Sequence, residues 1–337
     1  MTSRSRWWLI AAITIVLLVS TTAFAVVEWQ RYRDSQSAPS VVDVISAGPV
    51  LTGPRVVFRN TAPGSNYGRV AAVPLEAPAG PRTIADLVCD RVDASPTRTL
   101  CLRVNRGIVT NFEATTYDAD GEQERRWSLP GIPSRARLSD DSERIATTSF
   151  VTGQSYATIG FSTATDVSDV AGTQQDNLEE FEFIVDGERV TSVDRNFWGV
   201  TFAGADTFYA TAASGGNRWL VRGDLSERTL VAIRDGVECP SISPDGTRLA
   251  YKKDLGSGEV LWAIAVLDLA TGAEIVLPSE RSVDDQVEWL DDSTVLYGLP
   301  RIDAVGDNDI WAVAADGTSE PVVFIEHAWS PAVVREG

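Results

Sequence analysis

Residues 239–253 read CPSISPDGTRLAYKK, and degraded copies of this phrase recur along most of the chain. Physically it is strand, tight turn, strand. Pro244 fixes φ at the first corner after Ser243, Asp245 can bond its own backbone, and Gly246 supplies the positive φ that closes the turn. The copies are RARLSDDSERIATTSF from Arg135, VTFAGADTFYAT from Val200, VEWLDDSTVLYG from Val287 and HAWSPAVV from His327, with RVDASPTRTLCLRV from Arg91 the most degraded. The residues just before each turn, Leu138, Phe202, Ile242, Trp289 and Trp329, lie roughly 40 to 65 residues apart.

Between these turns a partner phrase returns: a strand, a turn such as DLATG (268–272) or ADG (315–317), and another strand. From Gly53 onward helical periodicity is almost absent. Short β-rich runs such as EEFEFIVDG, FWGVTF and LWAIAVLDL alternate with Gly, Asp, Pro and Ser. Four short strands per unit of about 40–50 residues is the pattern of a radial propeller rather than a sandwich. The fold expected is therefore all-β, a propeller of six four-stranded antiparallel blades. The widest gap contains the polar stretch Thr163 to Asn177, expected to be a loop insertion. The last unit stops short after HAWSPAVV. Arg55 to Asn60 (RVVFRN) is expected to complete it, joining first blade to last and removing an open sheet edge.

Ahead of this domain, Trp7 to Val27 runs 21 residues without a charge, just after Arg4 and Arg6. At 1.5 Å per residue a helix of that length spans roughly 30 Å, the thickness of a bilayer's hydrocarbon core. Trp7, Trp8 and Trp29 stand at its ends, where indole rings favour the interface. Residues 1–6 then form a cytoplasmic tail, 7–27 a signal anchor, 28–52 a stalk and 53–337 a propeller outside the cytoplasm. Ala23-Phe24-Ala25 also fits a small-x-small cleavage site, so a secreted form cut near Ala25 is the alternative. Both readings export the domain.

The cysteines agree with export. Cys89 and Cys101 sit in two short apolar stretches, DLVCDR and LCLRV, separated by a turn-like DASPTR. Antiparallel pairing of those stretches would bring them within disulfide range. Cys239, before Pro240, is expected to be a small buried hydrophobe. The net charge of −18 repels nucleic acid and no basic patch offsets it, so nucleic-acid binding is excluded.

SPDGTRLA from Ser243, DIW from Asp309 followed by ADG, and LDLATG from Leu267 together resemble the repeats of TolB-type propellers, the WD-like β-propeller repeat group. The resemblance is good over about residues 238–335 and looser back to about residue 53. It implies a six-bladed, non-enzymatic, scaffold-like propeller in the cell envelope. It does not carry over the Tol system: neither that family's partner-binding segment nor its N-terminal α/β domain is matched.

Chemistry is sparsely signalled. His327 is the single histidine and stands at a repeat position, so a structural role is expected. No G-x-S-x-G elbow and no nucleotide-binding loop occurs. Asp303, Asp307 and Asp309, in DAVGDNDIW, are weak candidates for a calcium site, against a turn-forming role; the acidic pairs 284–285 and 291–292 lie nearby in sequence. No catalytic residue and no cofactor are expected. Trp262, Trp289, Trp311 and Trp329 are expected in the inter-blade core, while Trp127, Trp198 and Trp219 are left open. The function expected is a membrane-tethered binding or scaffold module for an envelope protein or wall component. The alternative is a glycan lyase or hydrolase with a carboxylate-lined channel. Convergent charged side chains at a channel mouth would favour the enzyme, and an apolar or flat face would favour docking.

Overall fold

The computed structural model describes residues 3–45, 53–151, 162–256, 260–279, 281–302 and 304–335. Six sheets form a six-bladed propeller. Blade 2 is Arg91–Ala94, Arg98–Asn105, Asn111–Asp118 and Gln123–Ser128, ordered from the channel outward. Blades 3, 5 and 6 repeat this plan from Ile132–Leu138, Val237–Ile242 and Glu288–Asp291. Blade 4 begins at Asn196–Phe202 and is widened by an extra hairpin. Its strand Glu182–Val185 pairs in parallel with the outer strand Thr229–Asp235.

Blade 1 closes the ring. Its innermost strand is the C-terminal Ala328–Val334, paired antiparallel with Arg55–Asn60, and the next two strands also come from the start of the domain. The expected closure is thus present. HAWSPAVV, however, is not strand–turn–strand. It is one strand, bulged at Ser330 (φ 58), where pairing shifts register between Val57 and Arg59.

The turns behave as their chemistry requires. Gly246 N–H donates to Ser243 O at 2.8 Å, Ser243 Oγ to Asp245 Oδ1 at 2.6 Å, and Gly246 has φ 71. Thr247 N–H also donates to Asp245 at 3.0 Å, and these bonds, led by the Ser243 hydroxyl, bring its carboxyl down to about 2. Ser139 to Ser142 in blade 3 copies this turn, with Ser142 taking the glycine's place at φ 63.

The expected insertion between Thr163 and Asn177 is absent. Ser162–Asp169 and Gln175–Asn177 are blade 3 strands. They look like loop because Thr and Ser line them, but Thr163 and Thr165 are buried and their hydroxyls paired: both donate to Phe197 O, at 2.9 and 2.6 Å, and Thr165 Oγ1 stands 2.9 Å from Thr148 Oγ1. The widened spacing holds blade 4's extra hairpin, Glu182–Val185 with Glu188–Arg189; residues 152–161 lie outside the described residues.

Cys89 and Cys101 form a disulfide. The strand facing LCLRV is not DLVC but Arg91–Ala94, so Cys89 lies in the passage from blade 1 to blade 2 and the bond ties those blades together. It closes a loop of 12 residues, which predicts a loss of about 2–4 kcal/mol for Cys89→Ser. Urea midpoints of the variant, with reduced wild type alongside, measure this; equal midpoints would show the bond to be without effect.

An α-helix, Ser3–Ser37, precedes the propeller; it is long and apolar enough to cross a membrane, and none of its candidate span is buried against protein. Beyond it, Ala38 O accepts from Ser65 N–H at 3.2 Å and Asp43 O from Arg82 N–H at 3.0 Å. Val44–Ile45 pairs in parallel with Arg82–Val88, covering blade 1's outer edge.

Candidate functional site: the central channel

Strands of a blade alternate in direction, so its loops divide between two faces. The turns between first and second strands open on one, here the turn face; the loops between second and third strands open on the other, the hairpin face. The innermost strands line the channel between them. Because residues i and i+2 share a side of a strand, Arg91 and Asp93 project together, as do Arg135 and Arg137.

Near the turn face, Arg137 Nη1 meets Glu288 at 2.5 Å and Nη2 donates to Val287 O at 3.1 Å. Asp93 accepts from Leu138 N–H at 2.6 Å. Burial pushes the Asp93 carboxyl up to about 7; Arg137 pulls against this and Glu288 adds to it. Burial also opposes the Arg137 charge, but Glu288 and Asp93 more than compensate and its pKa is raised. These three groups line a cavity of about 280 Å³ with Trp289, Ser243 and Arg335. Trp289 is fully buried, its indole N–H donating to Ser241 O at 2.9 Å.

Near the hairpin face, on the side of blades 3 to 5, lies a second cavity of about 430 Å³. Arg218 Nε pairs with Glu238 at 2.6 Å and Lys252 Nζ with Asp284 at 2.6 Å. Both cations lie over the Trp262 ring, at 5.5 and 4.8 Å from its centroid. Arg135 reaches Asp284 at 3.9 Å, and Trp198 and buried Cys239 complete the wall. Deeper still, Arg91 meets the fully buried Asp285 at 3.1 Å; burial raises the Asp285 pKa and lowers that of Arg91.

His327 lies on the hairpin-face rim. Its Nδ1 is 2.7 Å from Asp307 and its Nε2 is 3.4 Å from Arg301 Nη1. Since guanidinium only donates, Nε2 is the acceptor and Nδ1 carries the proton given to Asp307. Both nitrogens are occupied, leaving no free base. Asp309 accepts from His327 N–H at 2.9 Å and pairs with Arg301 at 2.9 Å. Asp307 and Asp309 therefore brace this rim, and Asp303 lies outside the described residues. Among the described residues no three acidic, His or Cys side chains converge as a metal-binding group.

Of the tryptophans, Trp289 is core as expected, while Trp262 walls the hairpin-side cavity; Trp311 and Trp329 are only partly buried. Trp127, Trp198 and Trp219 lie on blade strands. Of the channel charges the sequence singles out only Asp284 and Asp285, as an acidic pair beside a candidate calcium loop; the structure pairs them with Lys252 and Arg91 instead. The signal for Arg91, Asp93, Arg135 and Arg137 is the alternation RVD and RAR in the strands that precede the turns.

No protein-family model matches the sequence, and no curated protein matches it. Among solved structures, TolB from Acinetobacter baumannii is similar at TM-score 0.58 and 14% identity, over 84% of this chain and 67% of that one. A puromycin-hydrolyzing peptidase from Mycobacterium tuberculosis is similar at TM-score 0.51 and 14% identity, over 87% of this chain and 48% of that one. The chain spans about half the length of that peptidase. At such identities the likeness is one of fold, shared by a TolB and a peptidase alike: this chain carries a six-bladed, TolB-like β-propeller.

Proposed function

We propose that this chain is a binding module of the cell envelope, held by its N-terminal helix with the propeller outside the cytoplasm, and that it engages a partner at the turn face. The observation that carries this reading is the turn-side mouth. It is a concave opening with paired charges at its base and Asp140 on its lip; the exposed carboxylates Asp245 and Asp292 stand on neighbouring turns of the same face, and Asp120 on the outer turn of blade 2. Carboxylates on this face steer a basic partner, and the buried base of the mouth offers hydrogen-bonding groups. The disulfide supports an oxidising compartment.

Convergent charges in the channel also bear on the enzyme reading, and Asp93, protonated up to about pH 7, is the group on which a general acid would centre. Against it stands the pairing of Glu288 with Arg137. The test is capture from crosslinked membranes with full-length protein, wild type against Asp120→Lys/Asp140→Lys. A discrete partner is expected, with capture at low salt reduced about tenfold or more in the variant, the scale of electrostatic steering. If no partner is recovered and the protein cleaves wall glycan in a manner abolished by Asp93→Asn, the binding reading is overturned.

A further inference from the structure

Exposed large apolar side chains on a soluble protein are usually scattered singly. Here they are sorted. Among the described residues the turns of the turn face carry none. The loops of the hairpin face carry Ile108 and Val109 in blade 2, Leu255 and Leu261 in blade 5, and Ile302 and Val305 in blade 6. Ile108 and Val305 are fully exposed, and Val109 and Ile302 nearly so. These four stand on the two blades that flank blade 1.

Blade 1 is where the helix is held. Its hairpin-face loop, between Asn60 and Arg69, donates Ser65 N–H to Ala38 O, one residue after the helix ends. The contact is close: a Cβ on Gly64 would lie 2.7 Å from that same oxygen. Tyr67 of this loop donates to Gly306 O at 3.0 Å, so the loop that holds the tether also touches the Val305 hairpin. At 1.5 Å per residue the helical run from Trp29 to Ser37 spans about 12 Å. A headgroup layer is about 5–8 Å thick. With the apolar part of the helix in the hydrocarbon, the hairpin face is thus held within a few ångströms of the bilayer surface, with no slack chain to carry it away.

We infer that the hairpin face of the propeller lies on the membrane, with Ile108, Val109, Ile302 and Val305 dipping into the headgroup layer beside the helix. Charge runs the same way. Arg106 stands beside Ile108 and is largely exposed, and the exposed Asp254 and Asp284 of this face are paired with Arg218 and Lys252, whereas the acidic turns, which anionic lipid would repel, are on the far face. The hairpin-side cavity then opens toward the bilayer and the turn-side mouth toward soluble partners. This rests on the proposal that the helix is an uncleaved anchor.

The experiment reconstitutes full-length protein in phosphatidylcholine–phosphatidylglycerol vesicles containing lipid-borne quenchers. An environment-sensitive fluorophore is placed, one site at a time, at Val109→Cys, Val305→Cys, Asp120→Cys, Asp316→Cys or Val19→Cys, all in a Cys239→Ser background. Expected are a blue shift and quenching at 109 and 305, none at 120 and 316, and deep quenching at 19. Quenching at 19 without quenching at 109 and 305 overturns the inference and leaves the anchor standing. A blue shift at 109 and 305 without lipid quenching assigns the face to protein contact and also overturns it. Loss of quenching at 19 overturns the anchor and this inference together.

Discussion

Replacing Arg137 by alanine is expected to destabilise the propeller by about 3–5 kcal/mol, the range for removing one partner of a buried ion pair. Arg137 is the cation of a buried cluster that also holds Glu288 and Asp93. Its loss leaves two carboxyls in the channel wall without their counter-charge. The effect has a pH signature. Asp93 already has its folded pKa raised, from 3.8 to about 7, so the folded state holds a proton that the unfolded chain has released. For a carboxyl shifted in this direction, stability is present at low pH and is lost as pH rises from about 4 toward 7. Without Arg137 the folded-state pKa of Asp93 rises further, because that guanidinium lowers it. The variant is therefore expected to lose more stability at pH 8 than at pH 5, and Asp93→Asn in the same background should flatten the difference. Urea denaturation at both pH values measures this. A loss below about 1 kcal/mol, or one independent of pH, would show that the cluster is solvated and of the surface kind. A second control is Arg137→Met/Glu288→Leu/Asp93→Asn, expected to be far milder, since apolar replacement of a whole buried ionic group removes the desolvation cost with the interaction.

That cluster marks the limit of what the sequence discloses. The turns are legible because their residues act locally: Ser243, Pro244, Asp245 and Gly246 specify a turn wherever they fall. The closure by Arg55–Asn60 is legible because a blade short of strands needs an edge partner. The channel is different in kind. A strand reading R-A-R or R-V-D has the alternation of a half-exposed strand, and nothing local distinguishes a solvated side from one enclosed by five neighbouring blades. Only ring closure buries Arg91, Asp93, Arg135 and Arg137, and ring closure is a property of the whole chain. The same reasoning covers the polar stretch from Thr163, where strand residues paired through buried hydroxyls look like loop. The disulfide was legible as a pair but not in its mechanism. The spacing points to neighbouring strands, whereas the bond spans the passage between two blades.

Phe58→Ala is expected to cost about 3–5 kcal/mol, the usual range for emptying a buried aromatic site, and to do so by loosening the join that closes the ring. Phe58 is fully buried on Arg55–Asn60, the strand that pairs with the C-terminal Ala328–Val334. It packs in one cluster with Val56, Ala71 and Ile84 of its own blade and with Leu296, Ile310 and Ile325 of blade 6. Its ring also covers the Arg82 guanidinium, 5.2 Å from its centroid. Arg82 donates to Asn60, Glu326 O and His327 O, tying that strand to the segment that enters the C-terminal one; burial brings its pKa down to about 10. Truncation therefore opens a cavity and removes the stacked face of a buried cation at the same place. The outer strand of blade 5 offers the contrast. Ile275 is 44% exposed there, and Ile275→Ala is expected to change stability by no more than about 1 kcal/mol. Hydrogen exchange locates the effect: faster exchange in Phe58→Ala should concentrate in 55–60 and 328–334 before the other blades respond. Uniform acceleration across all six blades would instead show that the ring unfolds as one unit and that its closure is no weaker than any other blade contact.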